Sequence, residues 1–259
     1  MWFDTAVLVI AALAGALAAV TGFGIGSLLT PLLALEMDTR LAVAAVSIPH
    51  VAGTALRFWL LSGSVDRSVL VRFGLTSAAG GLTGALLQGH ASNRWLTFLF
   101  GVLLLFAAAS ELIGLAKRMR FKGHVAWIAG ALSGLLGGLV GNQGGLRSAA
   151  LLGFGLSKES FVATATAVGL LVDGARMPIY LATQHTAMSS MWLPILIATI
   201  GVTLGTLLGS RVLARIPEIW FHRVLAAVLA ALGISMLLVD CGAVETPRQR
   251  GSRESRFET

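Results

Sequence analysis

The chain has 259 residues, of which 56% are hydrophobic and 12% charged, and its formal net charge is +7. Because about a quarter of the residues in an ordinary soluble domain are charged, this composition excludes a water-soluble globular protein. The basic residues stand between apolar blocks without interleaved aromatic residues, which argues against a nucleic-acid partner and is typical of charges that set membrane topology.

The apolar residues form long continuous runs and not the alternating strands of an outer-membrane barrel. A helical run of about 20 residues crosses a hydrocarbon core of about 30 Å. In chain order, such runs are found at about 5–35, 41–61, 68–88, 94–116, 125–154, 160–182, 191–213 and 218–240. The sequence therefore predicts an all-α integral membrane protein with about eight hydrophobic helical segments.

The first and fifth segments are too long for one plain span, and glycine interrupts both. The interruptions read Thr21-Gly22-Phe23-Gly24-Ile25-Gly26 and Gly141-Asn142-Gln143-Gly144-Gly145. Broken backbone inside a bilayer is tolerated only where protein buries it or where it lines a cavity. A helix that restarts after a break directs free N–H groups and the positive end of its dipole at the gap, which favours an anion. The alternative is that these glycines only allow close helix packing.

The second segment carries two polar residues that need an explanation. His50 follows Pro49, and it could titrate, bind a ligand or bond a carbonyl exposed by a proline kink; the kink is the favoured interpretation. Arg57 lies in the same apolar segment, where a buried arginine costs at least ~2.5 kcal/mol unless it faces water or protein. Arg57 could bind an anion or extend to the lipid headgroups, and both alternatives stay open.

The segment from 117 to 122 holds four basic residues in six, and the positive-inside rule places this connector in the cytoplasm. Eight crossings counted outward from the connector would put both termini on the same side as the connector. If the two broken segments instead re-enter, each half has an odd number of crossings and the halves are inverted. The sequence leaves both topologies open.

The fifth and sixth segments contain the most polar side chains. Asn142 and Gln143 can donate side-chain hydrogen bonds, and the guanidinium of Arg147 suits an oxyanion, although it could also bond carbonyls at a helix end. Asp173 stands three residues before Arg176 on one helical face, where an ion pair is favoured over a proton-carrying role.

A shift of 119 residues aligns the two halves of the chain at unusual residues. It places Gly22 on Gly141, Gly26 on Gly145, Leu33 on Leu152, and Arg57 on Arg176. This indicates an internal duplication, with an N-terminal membrane repeat at 1–116, a basic connector at 117–124, a C-terminal membrane repeat at 125–240, and a disordered polar tail at 241–259.

The sequence offers no pattern for an enzyme, a metal site or a cofactor. It lacks a Walker lysine motif, and histidine, cysteine and carboxylate residues do not fall at metal-ligand spacing. Transport, if this is the function, would be secondary or channel-like.

The paired glycine motifs resemble those of the TauE/SafE family of sulfite and organosulfonate exporters. The form G-x-G-x-G-x-x-x-x-P from Gly22 to Pro31, with a second copy at 141–145, carries the resemblance, which spans 5–240. It implies a multi-pass inner-membrane permease for small sulfur-containing anions. The chain departs from the simplest pattern in its second copy, where Ala150 stands in place of a proline.

The leading hypothesis is therefore a secondary transporter, an exporter by resemblance, that moves an oxyanion by alternating access. The residues expected to bind the anion are Gly22, Phe23, Gly24, Gly26, Gly141, Asn142, Gln143, Gly144, Gly145 and Arg147. The residues expected to gate or guide it are Arg57, Arg176, Asp173 and His50. Expected partners are the anion, the lipid bilayer and a coupling proton or sodium ion, and a homo-oligomer is compatible with the sequence. The alternative hypothesis is a membrane scaffold or accessory subunit, whose two glycine runs would lie apart.

Overall fold

The computed structural model describes residues 2–114, 124–141, 144–213 and 218–242, which form helices and no strand. The helices are α1 (Trp2–Thr21), α2 (Ile25–Leu33), α3 (Thr39–Leu61), α4 (Arg67–Gln88), α5 (Asn93–Ile113), α6 (His124–Val140), α7 (Gly144–Leu152), α8 (Lys158–Ser190), α9 (Trp192–Leu213) and α10 (Glu218–Gly242). A 3₁₀ turn at Ser62–Ser64 extends α3, and α4 contains a π-helical turn at Leu70–Gly74.

Six of these helices are long and apolar enough to cross a membrane, namely α1, α3, α4, α5, α8 and α9. Two shorter apolar helices, at His124–Val140 and Leu225–Leu238, complete a set that corresponds to the eight predicted segments. The prediction of a helical, multi-pass membrane protein is confirmed.

Polar side chains fix the starts of three helices. Asp66 accepts a hydrogen bond from the backbone N–H of Val69 at the start of α4, and this bond lowers the pKa of the partly exposed Asp66 carboxyl. Ser92 and Ser157 accept N–H bonds in the same way at the starts of α5 and α8. These residues satisfy donors that the first helical turn leaves free, and they separate neighbouring apolar segments.

The two glycine runs lie where a long helix gives way to a short one. Gly22 directly follows α1 and has φ +82°, and Gly141 directly follows α6 and has φ +75°. The N–H of Gly22 donates to the Ala18 carbonyl at 2.9 Å, and the N–H of Gly141 donates to the Gly137 carbonyl at 3.0 Å. Both helices thus end on a glycine in the left-handed region, which side chains disfavour.

Helices from the two halves pack against each other through small residues. Gly201, Gly205 and Gly209 of α9 contact Leu8, Ala12 and Ala16 of α1 in that order. In the same way, Gly134 and Gly138 of α6 contact Ser77 and Gly81 of α4. Residue numbers rise together along both interfaces, so α1 runs parallel to α9, and α4 runs parallel to α6. Close backbone approach of this kind is a common source of helix association in membranes.

The middle and last helices of the two halves pair in the opposite sense. Across α3 and α8, Arg57 meets Thr166 and His50 meets Asp173, so residue numbers rise on one helix as they fall on the other. Across α5 and α10, Gly101 meets Leu237 while Gly233 meets Leu105. Both pairs are therefore antiparallel.

These directions place the chain ends. Because α5 and α10 are antiparallel, the chain leaves α5 and α10 on opposite sides of the bundle. The start of α1 lies beside the start of α9, and α10 returns to that side, so α1 begins where α10 ends. The count of eight crossings, which put both termini on the side of the connector, does not hold in this arrangement. The short helices α2 and α7 make the number of helices in each half odd.

Candidate anion-binding site

The two glycine runs are in direct contact at the centre of the bundle. A Cβ placed on Gly26 would collide with the carbonyl oxygen of Gly141, and the ring of Phe23 packs against Gly144. Thr30 lies beside Gly141, with its hydroxyl 3.3 Å from where a Cβ on that glycine would be. The first turns of α2 and α7 are thereby brought together.

The other glycines of the two runs are close to this contact. Gly22 faces Ala165 of α8, and Gly24 has φ +124° and packs on Leu17. Gly145 is the second residue of α7. Asn142 and Gln143, which the sequence also assigns to the site, lie outside the described residues.

Arg147 enters the site from the first turn of α7. Its side chain is buried, with 2% of its surface exposed, and Nη2 donates to the carbonyl oxygen of Gly22 at 3.4 Å. The bonding of a carbonyl at a helix end, which was one interpretation of the sequence, is therefore part of its role. Its Nε and Nη1 groups are also buried and have no hydrogen-bond partner among the described residues.

Arg57 enters the same region from α3. It is 3% exposed, and its Nε donates to the hydroxyl of Thr166 at 2.8 Å. The Nη1 group is buried without a partner in the described part of the chain. Arg57 therefore does not extend to the lipid headgroups but points donors into the protein interior.

Arg176, the counterpart of Arg57 in the second half, has its donors occupied. It pairs with Asp173 through Nε at 3.0 Å and Nη2 at 2.8 Å, as the three-residue spacing favours. Its Nη1 donates to the carbonyl of Gly137, and the hydroxyl of Tyr180 donates to the next carbonyl, that of Gly138. Arg176 thus adds a second donor to the Gly137 carbonyl, which also accepts the N–H of Gly141, and Tyr180 supplies a donor to the Gly138 carbonyl near the end of α6.

His50 has a different partner from the one that the proline kink suggested. Its Nδ1 lies 2.6 Å from Oδ2 of Asp173, and Thr54 Oγ1 lies 3.4 Å from the same nitrogen. The antiparallel packing of α3 and α8 is the cause, because it sets Asp173 opposite His50. Asp173 consequently binds His50 through one oxygen and Arg176 through the other.

The cluster carries more positive than negative charge. Among the described residues, Arg57, Arg147 and Arg176 face one carboxylate, that of Asp173, so with a neutral His50 these four residues carry a net charge of +2. Arg57 and Arg147 interact electrostatically with each other as well as with Asp173. Buried like charges repel strongly because the interior screens them poorly. An anion placed between the free donors of Arg57 and Arg147 would remove this imbalance.

One face of the cluster is lined by glycine. A Cβ on Gly169 of α8 would lie 3.0 Å from Nη1 of Arg147 and 3.6 Å from the methyl group of Thr54. Because Gly169 has no side chain, the guanidinium of Arg147 can occupy the space beside it.

A separate cavity of about 170 Å³ lies beyond the C-terminal end of α2, where Asp38, Asn93 and Thr97 are among its lining residues.

Sequence reasoning missed Thr54, Thr166 and Tyr180. The 119-residue shift contained a signal for the first two, because it places Thr54 on Asp173 and Ser47 on Thr166. Polar residues at matching positions of two helices were candidates for one shared interface. Tyr180 is the single tyrosine of the chain and stands four residues after Arg176, and this spacing on one helical face was the signal that could have found it.

The fold and the site together define a multi-pass helical membrane protein with a cationic centre buried between its two halves. The family model of the sulfite exporter TauE/SafE matches residues 7–236, and the chain belongs to this family. The resemblance of the chain to this family is thereby confirmed. Comparison with curated proteins and with solved structures gives no match.

Proposed function

We propose that this protein carries a small sulfur-containing oxyanion, such as sulfite or an organosulfonate, across the inner membrane. Membership of an exporter family supports a transporter and not an enzyme. The observation that carries the proposal is the pair Arg57 and Arg147, whose guanidinium groups are buried with N–H donors that have no partner among the described residues. Burying a cation is costly while some of its N–H donors lack an acceptor, and a bound anion would supply that acceptor.

The donors suit the chemistry of these anions. Sulfite and sulfonate groups present three oxygens, and a guanidinium binds such oxygens through directional, charge-assisted hydrogen bonds. The first turns of α2 and α7 add the positive ends of two helix dipoles, and glycine lets an oxyanion approach the backbone closely. Two opposite charges about 4 Å apart attract by about 4 kcal/mol at an effective dielectric constant of about 20, which helps to offset the loss of water around the anion.

We assign anion binding to the contact between the two glycine runs. Gly22, Gly24 and Gly26 supply one side, and Gly141 with α7 supplies the other. Asn142 and Gln143 would add side-chain donors between Gly141 and Gly144. Phe23 would close the site by packing on Gly144, as it does here.

We propose that the two halves are inverted repeats and that transport is by alternating access. The antiparallel pairs α3–α8 and α5–α10, together with the matching ends of α1 and α6, support an inverted duplication. Movement of one half against the other would shift Arg57 relative to Arg176. In this scheme Arg57 keeps its hydrogen bond to the anion as the halves move, while Arg176 stays bound to Asp173 and to the end of α6.

The scaffold hypothesis predicts glycine runs that lie apart and are sealed by leucines. The contact of Gly26 with Gly141, and the buried donors beside it, favour the transporter. A homo-oligomer is compatible with either hypothesis.

Flux measurements in proteoliposomes test the proposal. Vesicles that contain the purified protein should take up radiolabelled sulfite with saturation, and organosulfonates should compete, whereas vesicles without protein should show only slow background leak. Phosphate and chloride, added at the same concentration, should compete weakly. Absence of protein-dependent flux for every anion would contradict the transporter proposal.

A further inference from the structure

The pair formed by His50 and Asp173 is a buried titratable group that anion binding does not use. His50 is 5% exposed and Asp173 is fully buried, and their Nδ1 and Oδ2 atoms are 2.6 Å apart. The two residues come from α3 and α8, the middle helices of the two halves. We propose that this pair is the proton-binding site of the transporter, through which one proton moves together with the anion. This inference rests on the proposed function.

Among the described residues, the charged groups that act on His50 are Asp173 and Arg176 of α8 and Arg147 of α7. Without an anion, the two guanidinium groups oppose a further positive charge on the imidazole, and the carboxylate of Asp173 favours it. An anion bound to Arg57 and Arg147 offsets that repulsion, so it favours uptake of a proton by His50.

The coupling is reciprocal, because a proton that binds more readily beside the anion also strengthens the binding of the anion. While the imidazole is neutral, its Nδ1–H donates to the carboxylate of Asp173, and the incoming proton is taken up at Nε2. The proton comes from water on one side of the membrane, resides on the imidazolium that Asp173 stabilises, and returns to water on the other side. The step needs no further reactant.

The proposed duplication supplies the two halves with one titratable pair and not with two. The 119-residue shift places Gly169 on His50 and Asp173 on Thr54. Neither Gly169 nor Thr54 titrates, so each half supplies one member of one pair. Because the pair spans the interface between α3 and α8, movement of one half against the other changes the access of water to it. The two arginines at matching positions also have different roles. Asp173 neutralises Arg176, whereas Arg57 keeps a donor for the anion.

A pH gradient across proteoliposomes tests this assignment. Sulfite uptake is measured at clamped membrane potential, with the vesicle interior one pH unit more alkaline than the medium, for the wild-type protein, His50→Gln and His185→Gln. His185 is an exposed histidine of the same long helix α8 and serves as the matched control. All three proteins are measured with the same sulfite concentration and the same pH gradient, so the acid–base chemistry of sulfite itself contributes equally to each measurement. Sulfite exchange without a gradient is measured in parallel, and thermal unfolding in detergent checks the fold of each variant.

The wild-type protein and His185→Gln should accumulate sulfite up to about tenfold in the alkaline interior, since one proton accompanies each anion. His50→Gln should retain sulfite exchange and lose this accumulation. Equal accumulation by His50→Gln and the wild-type protein would overturn the inference and leave the proposed function intact. A folded His50→Gln without exchange would also overturn it, because His50 would then serve anion binding; if His50→Gln unfolds, His50→Asn is measured in its place. Absence of flux in the wild-type protein would instead reject the proposed function.

Discussion

Gly26 of α2 and Gly141 at the end of α6 pack backbone against backbone, although 115 positions separate them in the chain. The contact leaves no space for a side chain at Gly26, and Gly141 needs the left-handed backbone region. Two glycine runs that look alike in the sequence are therefore parts of one structure. The proposed anion site depends on this contact, because the contact brings the first turns of α2 and α7 beside the buried arginines.

Replacement of Gly26 by alanine should weaken the fold, because the added methyl group would have to displace the backbone of Gly141. Overpacking of this kind typically costs about 1–3 kcal/mol. The free energy of unfolding in mixed detergent measures the effect. The matched control is Gly174→Ala on α8, where a Cβ meets open space and alanine should stabilise the helix by about 0.5–1 kcal/mol. Equal stability of Gly26→Ala and Gly174→Ala would show that the two runs do not meet.

Gly169→Ala should weaken anion binding while leaving the fold stable. The new methyl group would lie 3.0 Å from Nη1 of Arg147, and the end of a long side chain can shift by a few tenths of an ångström at little cost. A displaced guanidinium would lose about one charge-assisted hydrogen bond to the anion, which corresponds to roughly a tenfold lower sulfite affinity. The affinity is measured from the dependence of the flux on sulfite concentration. An unchanged affinity would place the anion away from Arg147.

Tyr180→Phe should lower stability more than transport. It removes the hydroxyl that donates to the Gly138 carbonyl at the end of α6, and an unsatisfied buried carbonyl costs about 1–3 kcal/mol. Thr183→Ala, on the exposed side of the same helix, should change the free energy of unfolding by less than about 0.5 kcal/mol. Loss of flux in a fully stable Tyr180→Phe would assign Tyr180 to the transport path instead.

The helix directions predict that the connector and the two termini lie on opposite sides of the membrane. Among the described residues outside the buried cluster, the basic residues on the side where α1 begins are Arg40 and Arg94. The other side has more of them, namely Arg67, Arg72, Lys158, Arg211 and Arg223, and the four basic residues of the connector follow α5 in the sequence. The positive-inside rule then places the connector in the cytoplasm and the termini outside.

Cysteine labelling in intact cells checks this topology. Cys241 is the only cysteine of the chain, so its replacement by serine gives a background without thiols. Single cysteines are then introduced as Ala116→Cys, next to the connector, and as Ser252→Cys, in the tail. A membrane-impermeant thiol reagent should label Ser252→Cys and spare Ala116→Cys. Labelling of both positions, or of neither, would contradict the antiparallel pairing of α5 and α10.

The sequence was sufficient for the membrane class, the eight apolar segments and the location of the glycine runs, because these depend on local composition. Arg57 and Arg147 were found as candidates because charges within apolar segments are rare. The partner of His50 could not be found in this way, since Asp173 is 123 positions away and meets it only through the antiparallel packing of α3 and α8. The antiparallel direction of α3 and α8 likewise comes from packing, and charge counting alone left the topology open.

Sulfite flux by Arg57→Ala and Arg147→Ala shows whether these two arginines hold the anion. Arg72→Ala, an exposed arginine of α4, is the matched control for loss of a positive charge. Each measurement uses the same amount of folded protein in proteoliposomes. Arg57→Ala and Arg147→Ala should each lose at least about tenfold in sulfite affinity, which corresponds to about one charge-assisted hydrogen bond, and Arg72→Ala should keep the wild-type affinity. Wild-type affinity in both Arg57→Ala and Arg147→Ala would contradict the proposal that these two arginines hold the anion.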